Sequence, residues 1–427
     1  MTRVVFLIVT ANVLLLLGLL FLSTGILLMV IPLLMYAGVA CLRTSSASSL
    51  NGRRQIGAEV ITTENTTDIT LTVENTGTAI DYMIIREAVA PYLDVIGGDV
   101  QATAALAAGA SLTLSYEVAG RRGKMTLPDI EVSGGDTFNL FPWQSTLETN
   151  TKLTVVPAYP FVRRVAIRPL HTMGFTGPIL SRQRGTGTDF FGVRQYEMGD
   201  PLRHVNWKAT ARYIDKPFTN EFEQDRIAEV GLILDARPQQ LQVSGRESLL
   251  EVSVSATAGL ADALLREGHR VGLFLYGLGH WVFPGYGRIQ RERILRTLAE
   301  TGMAASQSFG SLGQIPTRLF PPRSQLIIVS PLKDEDEQML FRFRANGYSV
   351  IIVSPDPVTF EAKGITDDPM LPAAVRLARL ERRLLLHRLR QTGIVIVDWQ
   401  TEKSLDEALT AVLQRTAPIH HIREMKR

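Results

Sequence analysis

The sequence is almost without cysteine. Its one thiol, Cys41, lies in an apolar N-terminal region, so neither an intrachain disulfide framework nor a cysteine-based metal cluster can form. An excess of one charge is also missing. The 45 basic and 42 acidic residues leave a formal net charge of +3, too weak a field to draw nucleic acid, and no nucleic-acid partner is expected. No G-x-G-x-x-G follows the first apolar strand of the C-terminal half and no G-K-[ST] occurs, so the usual nucleotide fingerprints are absent and no cofactor is expected. The seven histidines are scattered, and no Ser-His-Asp or Cys-His arrangement emerges from the order of residues. Internal repeats and low-complexity tracts are lacking as well.

What the chain does have is enough apolar residue for several cores. At 427 residues, 45% of them hydrophobic, it is long enough for two or three domains at roughly 150 residues each. Val4–Leu22 and Ile26–Leu42 carry no charge and are separated only by Ser23-Thr24-Gly25. Each approaches the roughly 20 residues an α-helix needs to cross a bilayer, which predicts a transmembrane helical hairpin over residues 1–43, with Pro32 tolerated inside it. Arg3, Arg43, Arg53 and Arg54 flank both outer ends. A multi-pass cell-membrane protein with its remaining domains in the cytoplasm is expected by the positive-inside rule.

Residues 44–52 read as a polar linker. From 53 to 156, short alternating runs such as Ile69–Glu74 and Ser111–Val118, broken by turn residues, predict an antiparallel β-sandwich. Residues 157–229 form a proline- and arginine-rich connector ending in an unusual charged and aromatic stretch. From 230 to 427 apolar strands alternate with helices, which predicts a Rossmann-like α/β domain with a parallel sheet. In its helix Ala373–Arg390, Leu377, Leu380, Leu384 and Leu385 are expected to face inward. Six arginines and the single acidic Glu381 line the rest of that helix. A solvated face is the plain reading, and contact with an acidic partner or a membrane surface the sharper one.

The charged stretch Gly185–Asp225 holds the candidate site. Asp200-Pro201 reads as a helix start, the carboxylate capping free N–H groups and proline taking the first helical position. On that helix Arg203 and Trp207 would share a face, as would Lys208 and Arg212. Arg194 and Glu197 precede it, and Glu221 and Glu223 follow. A guanidinium held by carboxylates and stacked on an aromatic ring would make a rigid joint, or else the wall of a groove for a peptide, a protein or an anion.

The pattern G-x-x-F-x-x-x-R-x-Y-x-x-G-D-x-x-R-x-x-x-W-x-x-x-A-R, running here from Gly187 to Arg212, resembles the signature of the "domain of unknown function 58" family. Arg194, Tyr196, Glu197, Gly199, Asp200, Arg203, Asn206, Trp207 and Arg212 lie within it. Arg121-Arg122-Gly123 followed by Asp136–Phe141, and the C-terminal run Leu380–Trp399, also resemble that family. The family often has Asp where this chain has Asn206, and its D-P-F-G element reads Asp136-Thr137-Phe138-Asn139 here. The resemblance implies a C-terminal domain similar to von Willebrand factor A and a working partnership with a MoxR-type AAA+ ATPase. Domains of that kind that bind Mg²⁺ carry D-x-S-x-S after the first strand. This chain has Asp235-Ala236-Arg237-Pro238-Gln239 there and Ser330 at the third strand, so Asp235 and Ser330 mark a degenerate metal position and no metal is expected. The reading is a membrane-tethered scaffold or adaptor that presents a protein-binding α/β domain and is not an enzyme. A hydrolase using Glu197, Asp200 and His204, or a structural envelope protein, is the alternative.

Overall fold

The structure, a computed structural model, describes residues 2–42, 50–135, 142–167, 179–212, 216–237, 243–244, 247–301, 319–322, 324–363 and 370–413. The chain divides into two compact units, Met1–Val156 and Pro157–Arg427. The Asp136–Phe141 element and most of the 44–52 linker lie outside the described residues.

The first unit begins with α1 (Thr2–Leu20) and α2 (Thr24–Leu42). Each has 19 residues, about 28 Å of helix at 1.5 Å per residue, set against a hydrocarbon core of about 30 Å. Among the described residues no helix is long and apolar enough to cross a membrane. That corrects the expected transmembrane hairpin to a pair of short helices. Phe21 and Leu22, part of the first apolar run, sit in the turn between the helices, Leu22 in the left-handed region at φ 47°. Nor is Arg54 a flanking charge: it is buried in the sheet region, ion-paired with buried Glu87 and donating to the Pro128 carbonyl at 2.7 Å.

Eleven strands follow: β1 (Leu50–Ile56), β2 (Val60–Thr62), β3 (Thr67–Asn75), β4 (Ile80–Arg86), β5 (Leu93–Gly98), β6 (Gln101–Leu106), β7 (Ser111–Gly120), β8 (Gly123–Thr126), β9 (Ile130–Gly135), β10 (Trp143–Leu147) and β11 (Lys152–Val156). They form sheets in the orders β1-β3-β7-β5, β10-β9-β4-β6 and β2-β11-β8. The period of two along β3 sends Ile69, Leu71 and Val73 to one face. Leu71 and Val73 meet Ile80, Met83 and Ile85 of β4 and Ile130 and Val132 of β9 in one buried cluster, so the two four-stranded sheets pack face to face.

The second unit opens with residues 157–167, an irregular strap fastened to the helices behind it. Ser255 donates to the Ala158 carbonyl at 2.8 Å and Arg266 to the Val162 carbonyl at 2.6 Å, while Asp406 takes both the backbone and side-chain N–H of Arg163 at 2.8 Å. A Cβ at Gly259 would stand 2.8 Å from the Pro160 carbonyl oxygen, so only glycine lets the strap pass this close. A long ribbon comes next, β12 (Ile179–Gln195) paired antiparallel with β13 (Phe218–Arg226), with the short helix α3 (Trp207–Thr210) in the loop between them.

Beyond it lie β14 (Glu229–Asp235), the two-residue strands β15 (Val243–Ser244) and β16 (Glu247–Ser248), α4 (Leu249–Arg266), β17 (Arg270–Tyr276), β18 (His280–Gly285), α5 (Gly287–Ala299), β19 (Gln325–Val329), α6 (Glu337–Ala345), β20 (Ser349–Pro355), α7 (Pro357–Ala362), α8 (Leu371–Gln391), β21 (Val395–Trp399) and α9 (Leu405–Leu413). Six of these strands form a sheet in the order β18-β17-β14-β19-β20-β21. Continuously buried strands such as β14 and β19 are covered on both faces. One core holds side chains of α4, α5 and α9, the other those of α6 and α8. The expected parallel sheet is corrected to a mixed one, because β18 runs antiparallel to β17 at the edge. Only Gly277-Leu278-Gly279 joins the two, both glycines at positive φ, and so short a connection permits a hairpin but no parallel crossover.

Helix α8 departs from expectation too. Leu385, Leu386 and Leu389 face the core, but Leu377, Leu380 and Leu384 are exposed. The helix carries two apolar stripes, and periodicity does not say which one is covered.

Candidate functional site

The signature residues gather at the end of the β12–β13 ribbon. Arg194, the penultimate residue of β12, lies opposite Thr219 in the ladder. Its guanidinium reaches Asp200 at 2.6 Å, Glu221 of β13 at 2.9 Å and, more loosely, Glu197 at 3.9 Å. The chain can double back this tightly because Gly199 adopts φ +113° in the turn from Glu197 to Asp200, closed by Asp200 N–H on the Glu197 carbonyl at 3.1 Å. The Asp200 carboxylate also accepts the Glu197 N–H at 3.0 Å, and the Tyr196 hydroxyl donates to the Asp200 carbonyl at 3.2 Å. The hydrogen bond from Arg194, and after it the one from the Glu197 backbone, hold the Asp200 carboxyl below the ordinary carboxylate range. In return Asp200 raises the pKa of Arg194.

The expected helix from Asp200-Pro201 does not form. A 3₁₀ turn covers Leu202–His204 with no side-chain cap, Val205 is extended and makes a β-bridge with Thr219, and α3 starts only at Trp207. The physical reason is that the Asp200 carboxylate is already taken by Arg194 and Glu197. The capping role passes to Asn206: its Oδ1 accepts the Ala209 N–H at 2.9 Å and its Nδ2 donates to Asn220 Oδ1 at 2.8 Å. An aspartate here would cap equally well but could not donate to Asn220. Arg203 and Trp207 consequently fall on either side of the extended break and share no helix face, and Arg203 donates to His204 at 3.2 Å instead. Among the described residues no ring stacks on Arg194 or Arg203; the cation–π contacts lie at Arg237–Tyr276 and Arg266–Phe161. Arg212 is exposed just past α3.

What this framework displays is apolar. Met198 is fully exposed, Leu202 and Trp207 are 72% and 71% exposed, and Phe190 and Val193 on β12 are open as well. Arg203 and Lys208 stand in solvent beside them in sequence. Reasoning from sequence reached Trp207 but missed Met198 and Leu202, whose signal was available: two large apolar residues in an otherwise polar loop. It also missed Thr219 and Asn220, which enter through the ladder register, and a single sequence carries no signal for register.

The degenerate metal position lies at the carboxyl end of the mixed sheet, the usual ligand crevice of such folds. Asp235 and Ser330 do come together, the Ser330 hydroxyl donating to Asp235 at 2.7 Å. Arg237 lies against both Asp235 (2.9 and 2.7 Å) and Asp336 (2.8 Å), its guanidinium 4.9 Å from the Tyr276 ring centroid. Burial works against its charge, but the hydrogen bonds it donates to the two carboxylates outweigh burial and raise its pKa. These residues do not fit a dication, because a cation of the chain's own already faces both carboxylates. Farther along the same edge Arg382 donates to the Pro331 carbonyl at 2.9 Å, Ser354 Oγ at 3.1 Å and Asp398 at 2.8 Å. Two arginines thus fill the crevice from within. Asp336, which completes the first of these sites, comes from 99 residues beyond Arg237, and nothing in the sequence pattern pointed to it.

No curated protein matches the chain. Solved structures similar to it include the CARDB domain of a Pyrococcus furiosus protein, 16% identical over 25% of this chain and 87% of that one, with a TM-score of 0.17. A FixG-related protein from Vibrio parahaemolyticus is 12% identical over 25% of this chain and 96% of its own, with a TM-score of 0.17. An inactive mutant of an exo-β-N-acetylglucosaminidase from Vibrio harveyi is 9% identical over 72% of this chain and 57% of its own, with a TM-score of 0.18. At such scores the likeness carries no argument about architecture or activity. Residues 192–360, from the end of β12 to α7, match the family described as "Protein of unknown function DUF58".

Proposed function

We propose that the chain is an adaptor whose ribbon loop is the docking element for a protein partner. The observation that carries this reading is the pairing of a rigid frame with exposed apolar side chains. Arg194, Asp200 and Glu221 fix the loop, and the loop holds Met198, Leu202 and Trp207 in water. Exposed apolar groups on an ordered frame are what protein interfaces bury, and tryptophan is enriched among the residues that dominate them. Resemblance to the family supplies the partner, a MoxR-type AAA+ ATPase, which would also supply the energy. The residues of the hydrolase reading support it less: Asp200 is ionised and held by Arg194, and the Glu197 side chain is 81% exposed.

The test is binding of the purified full chain to a MoxR-type ATPase of the same organism, by biolayer interferometry, with ATP and with ADP. Leu202→Ala with Trp207→Ala is expected to weaken binding by about 30-fold or more, the scale of a hot-spot loss of about 2 kcal/mol, with circular dichroism unchanged. Unaltered binding by the folded double variant overturns the reading.

A further inference from the structure

We propose that α8 carries a second docking surface, one that takes an acidic amphipathic helix of a partner protein. The argument starts from how α8 is seated. Leu385, Leu386 and Leu389 are buried in the core, and Arg382 is fixed to Pro331, Ser354 and Asp398 at the sheet edge. Leu371, Val375 and Ala378 are partly covered on the same side. Written as a heptad with Leu377 at position a, every one of these falls at b, c or f. Met370, Ala373, Leu377, Leu380 and Leu384 then fall at a, d, a, d and a, a seam with spacing 3-4-3-4. That seam points away from the protein. Met370, Leu377, Leu380 and Leu384 are 74%, 59%, 55% and 64% exposed.

The charge beside the seam selects the occupant. Of the six arginines of α8, Arg382 and Arg388 are spent on the protein itself, the latter against Asp334 at 2.8 Å and Glu337 at 3.8 Å. Arg376, Arg383 and Arg390 fall at g and Arg379 at the neighbouring c. All four are exposed, and none makes an ion pair among the described residues. One flank of the seam is therefore a basic rail with no ion-pair partner among the described residues, and Glu381 is the lone carboxylate of the helix. A second copy of α8 would bring a like rail and be repelled in the antiparallel orientation, where g residues face g residues. A lipid surface would also accept leucines flanked by arginines, but it imposes no register, whereas this seam keeps the 3-4-3-4 spacing that a partner helix requires. A helix with leucines at a and d and glutamates at e and g satisfies both the seam and the rail.

This surface lies apart from the ribbon in sequence and does not rest on the adaptor reading. It is tested with the full chain and two fluorescein-labelled three-heptad peptides, both with leucine at a and d, one with glutamate and one with lysine at e and g, read by fluorescence anisotropy. The glutamate peptide is expected to bind at least about tenfold more tightly, and to weaken as salt rises from about 0.05 M to about 0.3 M. Leu380→Asp should abolish binding, and Arg376→Glu with Arg383→Glu should invert the preference toward the lysine peptide. The Leu202→Ala, Trp207→Ala variant should bind the glutamate peptide as the parent does. Equal binding of both peptides, or loss of binding in the ribbon variant, overturns the proposal. So does a concentration-dependent dimer that Leu380→Asp removes, or binding to phosphatidylserine vesicles in place of the peptide.

Discussion

Arg237 and Arg194 make the same contact in two different media. Each guanidinium joins a carboxylate close in sequence, Asp235 or Asp200, to one brought in by the fold, Asp336 or Glu221, at 2.6 to 2.9 Å. Around Arg237 the carboxylates are buried, at 3% and 6% side-chain exposure. Arg194 is partly open to water. In the sheet crevice little water competes, so the ions depend on one another and the whole fold depends on the set being complete. At the ribbon, Asp200 and the Arg194 guanidinium are more open, at 17% and 26% side-chain exposure, so water screens that pair, and what it contributes is mainly geometry. The same chemistry serves as a filled core in one place and as a mount for exposed side chains in the other.

The largest effect that separates the two is on global stability. Arg237→Ala removes the guanidinium that faces both buried carboxylates, Asp235 and Asp336, and should cost about 3–5 kcal/mol in urea unfolding. Adding Asp235→Asn and Asp336→Asn should recover most of that loss, since both buried negative charges are then removed together with the cation that faced them. Arg194→Ala should leave the same midpoint in place and instead raise amide exchange from Glu197 to Asp200. Equal destabilisation by the two single variants would erase the distinction.

A smaller effect sharpens it. Asn206 caps α3 within the ribbon loop and ties it to Asn220. Asn206→Ala should cost the loop about 1 kcal/mol and speed exchange of the Ala209 amide about fivefold. Asn206→Asp keeps the cap acceptor and should change that rate little. If both substitutions act alike, the cap is not what orders α3.

The elements of the second unit were legible because buried strands and amphipathic helices carry long, repetitive patterns. Val230–Leu234 and Arg270–Tyr276 lie within or coincide with observed strands. What failed was local competition and burial. Asp200-Pro201 has the composition of a helix start, yet Arg194, six residues earlier, claims the carboxylate. His280–Gly285 contains proline and glycine, so nothing marked it as the strand that makes the sheet mixed. Two apolar stripes on α8 looked like one core face. The uncharged runs near the N-terminus read as spanning segments, yet among the described residues no helix is long and apolar enough to cross a membrane. For the site, Arg194 and Asp200 were visible as charges at close spacing, whereas Glu221 and Asp336 became their partners only through tertiary structure.

The finest test of the comparison is acid titration of the ribbon. Asp200 has a folded-state pKa below its unfolded one, because its ionised form accepts hydrogen bonds from Arg194 and the Glu197 backbone. The sign follows from linkage: the stabilisation is fully present above the unfolded carboxylate pKa and is lost as pH falls through the lower folded value. The loop should therefore stay closed throughout the ordinary carboxylate range and open only below it. Carbon-13 NMR of the Asp200 carboxyl in the full chain reads this directly. In Arg194→Ala the larger of the two causes is gone, so the titration should move up toward that of an exposed aspartate, while the Glu197 N–H keeps a residual depression. An Asp200 that titrates at the same pH in parent and variant would mean that the guanidinium beside it does not hold its charge, and the frame proposed for Leu202 and Trp207 would lose its anchor.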